Sequence, residues 1–316
     1  MKGIVRRLWF GPLLAVIVVY VVFALLAPDT FPGARNLLTM TRQTVVVGIA
    51  AIGMTLVMVK GGIDLSVGSS VALSTVVVAR LLQAGFGPFT AALIAIAIAA
   101  ACGLFNGALV ASLKITPFIV TLGTMSALRG AAKGLAGEQK IDADPRGIDQ
   151  LMTLLPPERA LMLFPAGVWI TLFGAALAAL VLTMTRFGRH LVAIGSNQQT
   201  ARLCGVAVER MTVLAYAVAG AITGIAGIME FATLTVGDPT DSVGLELEVI
   251  AAVVIGGGSL SGGQGSVPGA LIGAFLLTLI KTGCTHVGLP NWVQEILTGA
   301  IIVLAMGIDK LRHRGD

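Results

Sequence analysis

Six long stretches of this sequence carry almost no charge: Phe10 to Ala27, Gln43 to Val59, Pro88 to Leu113, Pro165 to Thr185, Met211 to Met229 and Asn291 to Gly307. Each approaches or exceeds the ~20 residues a helix needs to cross ~30 Å of hydrocarbon at ~1.5 Å per residue. Inside lipid every backbone N–H and C=O has to be paired within the chain, which only helices and closed barrels achieve. The runs lack the two-residue alternation of barrel strands, so the sequence predicts an all-α polytopic membrane protein. The balance of residue types agrees. The 316-residue chain is 12% charged, against about 25% in a soluble domain, with a mean hydropathy of +0.94.

The runs and the breaks between them predict about ten transmembrane helices in one transmembrane unit over 1–316. Their expected limits are 10–27, 43–59, 65–83, 88–111, 115–135, 165–185, 211–231, 246–257, 266–283 and 291–308. The first is read as an uncleaved span, because its apolar stretch exceeds a secretory h-region and no small-x-small cleavage site follows cleanly. An even number of spans puts both termini on one side. With the termini inside, the inner segments hold twelve of the 21 basic residues: Lys2, Arg6, Arg7, Lys60, Lys114, Arg186, Arg189, Arg202, Arg210, Lys310, Arg312 and Arg314. Only Asp64, Glu209, Asp309 and Asp316 oppose them there. The positive-inside rule therefore predicts cytoplasmic termini. The net charge of +5 belongs to that inner face and gives no reason to invoke nucleic acid.

Two hydrophilic loops stand out. An outer one, about 136–164, is acidic and ends in Pro156-Pro157. It is long enough to meet a partner or cover an entrance. The inner one, about 186–210, contains QQTARLCGV, a short helix that Ser196 or Asn197 can N-cap and Gly205 can end. From these residues the inner loop reads equally as a docking surface or as a solvated basic anchor.

The segment SLSGGQGS, Ser259 to Ser266, spells the LSGGQ signature of ABC-type ATPases. Such an ATPase also needs G-x-x-x-x-G-K-[ST] to hold phosphate and Mg²⁺. The sequence contains no Gly-Lys dipeptide and no soluble stretch of the ~100–200 residues a nucleotide-binding domain would fill. The match is a Gly/Ser-rich re-entry, and the chain is expected to bear no cofactor and no catalytic site of its own. A rhomboid-type serine protease is excluded as well: Ser261 lacks the Gly two residues before it, and His286 is expected at the far end of a span. The three histidines (His190, His286, His313) and three cysteines (Cys102, Cys204, Cys284) form no metal-ligand or disulfide spacing. The cysteines read as small fillers of helix contacts.

A second Gly-rich break, VKGGIDLSVGSS, matches the first in spacing: GGIDLS at 61–66 and GGGSLS at 256–261. Paired breaks in two halves of a membrane protein point to a transport pathway, because unwound backbone exposes hydrogen-bonding groups. Gly61, Gly62, Asp64, Ser66, Gly257, Ser259 and Ser261 are the expected pathway or gate residues, with Asn106 and Phe118 beside them. Asp64 has two readings, a pathway acid or a cap for the turn starting at Leu65 with help from Ser66; the cap is the simpler. Asn106, in an Ala/Gly-rich run, is expected to seek an interhelical hydrogen bond.

Four segments together carry a resemblance: GIAAIGMTLVMVKGGIDLSVGSSVALS, LKITPFIVTLGTMSALRG, TRFGRHLVAIGSNQQTARLCGV and GLELEVIAAVVIGGGSLSGGQGSVPGALIG. In this order and at these separations the chain resembles the ribose-type sugar ABC importer permeases. The resemblance implies an ABC importer permease fold in a bacterial inner membrane. It also implies a second permease copy or sister permease, a cytoplasmic ATPase carrying ATP and Mg, and a periplasmic sugar-binding protein. The inner loop then resembles a coupling helix, implying ATPase-coupling roles for Arg186, Gly188, Arg189, Asn197, Ala201, Arg202 and Gly205. The outer loops 136–164 and 232–245, with Asp142, Asp144, Asp238 and Asp241, would receive the binding protein. A ribose-, xylose-, arabinose- or galactose-like monosaccharide would pass by alternating access. The rivals are a branched-chain amino-acid ABC permease and an ion-coupled secondary transporter, the latter needing acids or histidines deep in the spans.

Overall fold

A computed structural model describes residues 10–154 and 163–312. The charge-ledger residues Lys2, Arg6, Arg7, Arg314 and Asp316, together with His313 and Pro156-Pro157, lie outside the described residues. In chain order the helices are α1 (Phe10–Leu26), α2 (Ala34–Val59), α3 (Val67–Gln83), α4 (Pro88–Leu113), α5 (Pro117–Ala136), α6 (Ala166–Met184), α7 (Arg186–Ser196), α8 (Gln198–Leu203), α9 (Val208–Leu234), α10 (Leu245–Ile255), α11 (Val267–His286) and α12 (Asn291–Arg312). A two-residue ribbon, β1 (Ile141–Asp142) antiparallel to β2 (Val236–Gly237), pairs Ile141 with Gly237.

α2, α4, α6, α9 and α11 are long and apolar enough to cross a membrane, while α1 and α3 are apolar but shorter. Most expected spans hold to within a few residues, but the second changes, and the eighth, close to its expected limits, is short. The second begins at Ala34 and not Gln43, because Arg42 stays helical by donating from Nη1 to the Met152 carbonyl at 3.2 Å. The eighth is only Leu245–Ile255, eleven residues, which at ~1.5 Å per residue reaches about half of the hydrocarbon thickness. The glycines of 256–258 end it before it can cross.

α2 is the buried axis of the bundle, enclosed by α6, α7, α9, α10 and α11. Its side chains from Thr44 onward are buried almost without break. Hydroxyls inside the apolar helices are satisfied locally. Thr44, Thr55, Thr171, Thr212, Thr223 and Thr278 each donate to the carbonyl four residues earlier, at 2.7–3.2 Å. This removes the cost of carrying a bare donor into hydrocarbon.

The tightest crossing joins α4 to α9 along small residues. Gly103 and Gly107 of α4 face Gly220, Val213 and Tyr216 of α9. A Cβ on Gly107 would lie 2.8 Å from Val213 Cα, and one on Gly220 would lie 3.0 Å from Gly103 Cα. Without a hydrophobic force between helices in lipid, this close backbone approach supplies the packing energy.

At the end of the bundle away from α7 and α8, long polar side chains clamp the loops through carbonyls. Arg80 Nε donates to Leu135 (2.9 Å), Gln83 to Asp142 (2.8 Å), Arg146 to Phe86 (3.1 Å) and Arg129 to Pro239 (3.0 Å). Ile141, Ile148 and Met152 are buried beneath them. The described part of the 136–164 loop is thus seated on the bundle.

Gly220→Leu should overpack the α4–α9 crossing and cost about 1–3 kcal/mol or more. Gly123→Leu, which faces open space, should leave the melting temperature within a few degrees. Thermal unfolding of both variants in detergent micelles checks this. Equal melting temperatures would show that the crossing does not hold the bundle.

Candidate functional site

Both glycine-rich breaks start as the same helix ending. After α2, Gly61 (φ +87°) donates its N–H to Met58 at 2.8 Å, and Gly62 donates to Val57 at 2.9 Å. After α10, Gly257 (φ +89°) donates to Val254 at 2.9 Å, and Gly258 to Val253 at 2.9 Å. This double closure is the Schellman motif, whose left-handed residue glycine adopts without strain. A side-chain turn follows each. Asp64 Oδ1 accepts from the Ser66 N–H at 2.9 Å and the Ser66 hydroxyl at 2.6 Å, and Ser259 Oγ accepts from the Ser261 N–H at 3.2 Å. The second break reaches its turn one residue sooner, so the two share a plan without a shared register.

The first break then enters α3 directly, and it dips into the bundle. The Ile63 carbonyl accepts from the Tyr216 hydroxyl at 3.1 Å and the Thr121 hydroxyl at 3.3 Å. Tyr216 lies eight residues into α9, so Ile63 sits about 12 Å along the helix from Val208 at the helical rise. Asp64 is 5% exposed. Among the described residues no lysine or arginine lies within ion-pair distance of it. Asn106 of α4 donates to Ser66 Oγ at 2.9 Å, as its setting in the sequence predicts, while its own Oδ1 is buried without a partner. Asp64, Ser66 and Asn106 therefore form one buried polar chain across the α2–α3 break and α4. Asp64 performs the capping task, though on the turn before α3 and not on the helix itself. Phe118, on α5, is exposed on the outside of the single chain.

The second break takes a longer path. The Ser259 N–H donates to the Gln264 carbonyl at 3.1 Å, Gly262 and Gly263 both have positive φ, and Ser266 caps α11 by accepting from Gly269 at 3.1 Å. LSGGQ is thus a closed loop rather than the start of a helix. Ser261 precedes α11 and His286 ends it, twenty helical residues later. His286 bridges Thr30 Oγ1 (2.9 Å) and Asn36 Oδ1 (3.2 Å), so serine and histidine sit at opposite ends of a span.

The two breaks meet each other, and they meet a helix that the sequence reading missed. RFGRHLVAIGS forms α7, with Thr185 Oγ1 accepting from the Gly188 N–H at 3.2 Å as its N-cap. Its penultimate residue, Gly195, lies flat on the junction. A Cβ on Gly262 would lie 2.8 Å from Gly61 Cα and 3.0 Å from Gly195 Cα. The Gly263 N–H donates to the Val59 carbonyl at 2.8 Å, and any side chain on Gly195 would overlap that same carbonyl. Glycine inside an otherwise amphipathic helix was the available signal. Tyr216, one of only two tyrosines, was the other residue the sequence reading passed over.

α8 follows as expected. Asn197, and not Ser196, is the N-cap, accepting from the Thr200 N–H at 2.9 Å; Gly205 (φ +83°) turns the chain toward α9. Ala201 is buried in a small cluster with Ile194 and Val208, whereas Leu203 is 89% exposed. Arg202 pairs with Glu209, Arg189 donates to the Met184 carbonyl at 3.2 Å, and Arg186 is exposed. Cys204 is exposed and Cys284 buried, so Cys204 fills no helix contact.

Of the four outer acids, Asp142 and Asp144 are exposed and Asp241 is half-buried. Asp238 is 7% exposed and engaged: Oδ1 accepts from Thr240 N–H (2.8 Å) and hydroxyl (2.7 Å), and Oδ2 pairs with Lys140 at 3.0 Å. Burial pushes its pKa up, but the Thr240 bonds and Lys140 outweigh burial and leave it below the usual carboxylate value.

Residues 36–306 match the family model described as branched-chain amino acid transport system / permease component. The chain is 36% identical over 301 residues to a ribose import permease protein of Escherichia coli (strain K12), covering 95% of this chain and 93% of that one. It is 33% identical over 317 residues to a ribose import permease protein of Bacillus subtilis (strain 168), covering 98% and 94%. It is 34% identical over 287 residues to an autoinducer 2 import system permease protein of Salmonella paratyphi B, covering 88% and 82%. No solved structure matches the chain.

Two outcomes are expected. Asp64→Ala removes the acceptor of two bonds and should cost about 1–3 kcal/mol in detergent unfolding, whereas Asp64→Asn keeps an acceptor and should recover most of that loss. Equal losses would show that the charge, and not the turn, is needed. The depressed pKa of Asp238 adds stability that is present above its unfolded value of about 3.9 and lost as pH falls through the lower folded value. The destabilisation by Asp238→Asn should therefore be constant at pH 5–8 and shrink below about pH 4, as acid-dependent melting would read.

Proposed function

The chain belongs to the family of permease components of branched-chain amino acid-type transport systems, and from that premise we propose that it is the membrane-spanning permease subunit of an ATP-driven importer that carries a monosaccharide into the cytoplasm. The observation that carries the substrate class is the end-to-end similarity to permeases named for ribose and for autoinducer 2. The family description names amino acids, but those relatives match at about a third identity over nearly their full length, which favours the sugar reading. The ion-coupled reading needs an acid free to load and unload protons. Asp64, the buried acid at the break, is committed to its turn.

In this reading the chain works as a pair of permease copies in a bacterial inner membrane. Both termini, α7 and α8 then lie in the cytoplasm, the side that the charge ledger favours. A cytoplasmic ATPase subunit, which holds the ATP and Mg, seats against α8, and a periplasmic binding protein delivers the sugar to the face bearing Asp142, Asp144 and Asp241. The chain itself hydrolyses nothing. Closure of the ATPase pushes α8, and α7 hands that displacement to the two breaks through Gly195. The breaks expose backbone carbonyls and the Asp64–Ser66–Asn106 chain, hydrogen-bonding groups suited to a polyol. Selectivity rests with the binding protein.

The test is co-expression with the ATPase and binding protein encoded beside it, then reconstitution and uptake of labelled ribose and leucine. ATP-dependent ribose uptake is expected. Arg189→Glu and Gly205→Trp should lower it tenfold or more at unchanged permease levels, with ATP hydrolysis persisting. Gly205→Trp acts by forcing a side chain into a left-handed backbone and onto the exposed face of α8. Leucine uptake in place of ribose would move the chain to the amino-acid branch, and uptake by the chain alone down an ion gradient would end the importer reading.

A further inference from the structure

We propose that the cavity enclosed by the end of α2, the α4–α5 turn and α8 is a binding site for a phosphate-bearing anion. The cavity has a volume of about 410 Å³ and is lined by Lys60, Lys114, Thr116, Gln198, Arg202 and Glu209, among others. That size lies within the 300–1,000 Å³ typical of small-molecule sites. Three cations face one carboxylate, and that carboxylate, Glu209, is already paired with Arg202. The surplus of two positive charges matches the roughly −1.5 to −2 charge of a phosphate monoester at neutral pH.

Lys60 is the observation that points to a ligand. It is 8% exposed, and among the described residues no carboxylate lies within ion-pair distance of it. Its contact is the Tyr216 ring, with Nζ 5.3 Å from the ring centroid. A cation–π contact of about 0.5–2 kcal/mol does not offset the burial of an ammonium group, which costs several times more unless it is paired. Lys60 thus stands at the cavity wall without an anion. Lys114 and Arg202 approach from two other elements.

The position gives the site a consequence. Lys60 and Gly61 belong to the first break, whereas Gln198 and Arg202 belong to α8. An anion held by both would tie α8 to the break and hold the relative position of the two elements that must move. The site itself stands on the cavity alone; only this consequence for transport rests on the proposed function. Phosphate chemistry has two sources here, a soluble phosphorylated sugar on the cytoplasmic side or the headgroup of an anionic lipid, since basic pockets between helices take such headgroups.

The experiment uses the full chain, without partners, in nanodiscs. In phosphatidylcholine discs, ribose 5-phosphate and inorganic phosphate are titrated by calorimetry. In discs containing phosphatidylglycerol, lipid retained through purification is counted by native mass spectrometry. Saturable binding of the soluble phosphates, weakened tenfold or more by Lys60→Met and by Lys114→Gln, restored by Lys60→Arg and unaffected by the remote Lys133→Gln, establishes a soluble ligand. Retention of phosphatidylglycerol that falls in the same two variants, without soluble binding, establishes a lipid headgroup at the same site. Lys114 is exposed, so Lys114→Gln carries the test should Lys60→Met fail to fold. No saturable binding of either probe, or binding unchanged in Lys114→Gln and in whichever Lys60 variant folds, overturns the proposal. Because no ATPase takes part, this failure is separate from failure of the importer reading.

Discussion

The structure depends on how backbone groups are paired where helices stop inside an apolar bundle. A helix that ends within hydrocarbon leaves carbonyls without partners, each costing several kcal/mol. α2 and α10 both end among packed apolar helices, and both close their last turns with paired bonds from a left-handed glycine and its successor. The side chains of Asp64 and Ser259 then supply the acceptors that the next turn lacks. The cost of unwinding is met on the spot, so each break can persist at depth. An unwound segment that is locally satisfied offers polar groups without unfolding, which is what the proposed pathway would need.

The same glycines do a second thing. With no Cβ at Gly61, Gly195, Gly262 or Gly263, three backbones from distant parts of the chain come within direct contact. Backbone-to-backbone contact transmits displacement without the rotamer slack of side chains. α7 leads directly into α8 and meets both breaks through Gly195 and Ser196. Glycine here contributes stiffness by removing everything between the chains.

How much of this was legible in the sequence follows from what each signal measures. Hydropathy located the helices to within a few residues at most ends, because transfer of an apolar run into lipid is a local sum. It misplaced the start of α2, since Arg42 is tolerated in the helix only because the Met152 carbonyl, 110 residues away, receives it. The breaks, the Asx-type turn at Asp64, the Asn106 hydrogen bond and the Asn197 cap were readable from local residue chemistry. The Gly195 junction was not, because the meaning of a glycine lies in what approaches it, and that is tertiary information. For the same reason Asp238 read as an exposed docking acid, although Lys140 and Thr240 enclose it.

The two ends of the bundle are held by different means, and the difference bears on which end moves. Away from α8, arginines and a glutamine reach across loops to backbone carbonyls, tying α2, α3, α5 and the β1–β2 ribbon together through long, directional, charge-assisted bonds. Sliding there breaks several of them at once. At the α8 end the breaks and α7 meet through glycine surfaces and a backbone bond from Gly263 to Val59, while Arg202 pairs α8 with Glu209 of α9 and Tyr216 and Thr121 donate to the Ile63 carbonyl. Dispersion contact between flat backbones is lost gradually as surfaces slide, whereas a geometric hydrogen bond is lost within about an ångström. The far end is thus tied by long side chains that reach loop carbonyls, whereas both breaks and both short helices lie at the end where glycine backbones touch. On the importer reading proposed above, a push delivered at that end would reach the breaks first, against a far end held by side-chain bonds.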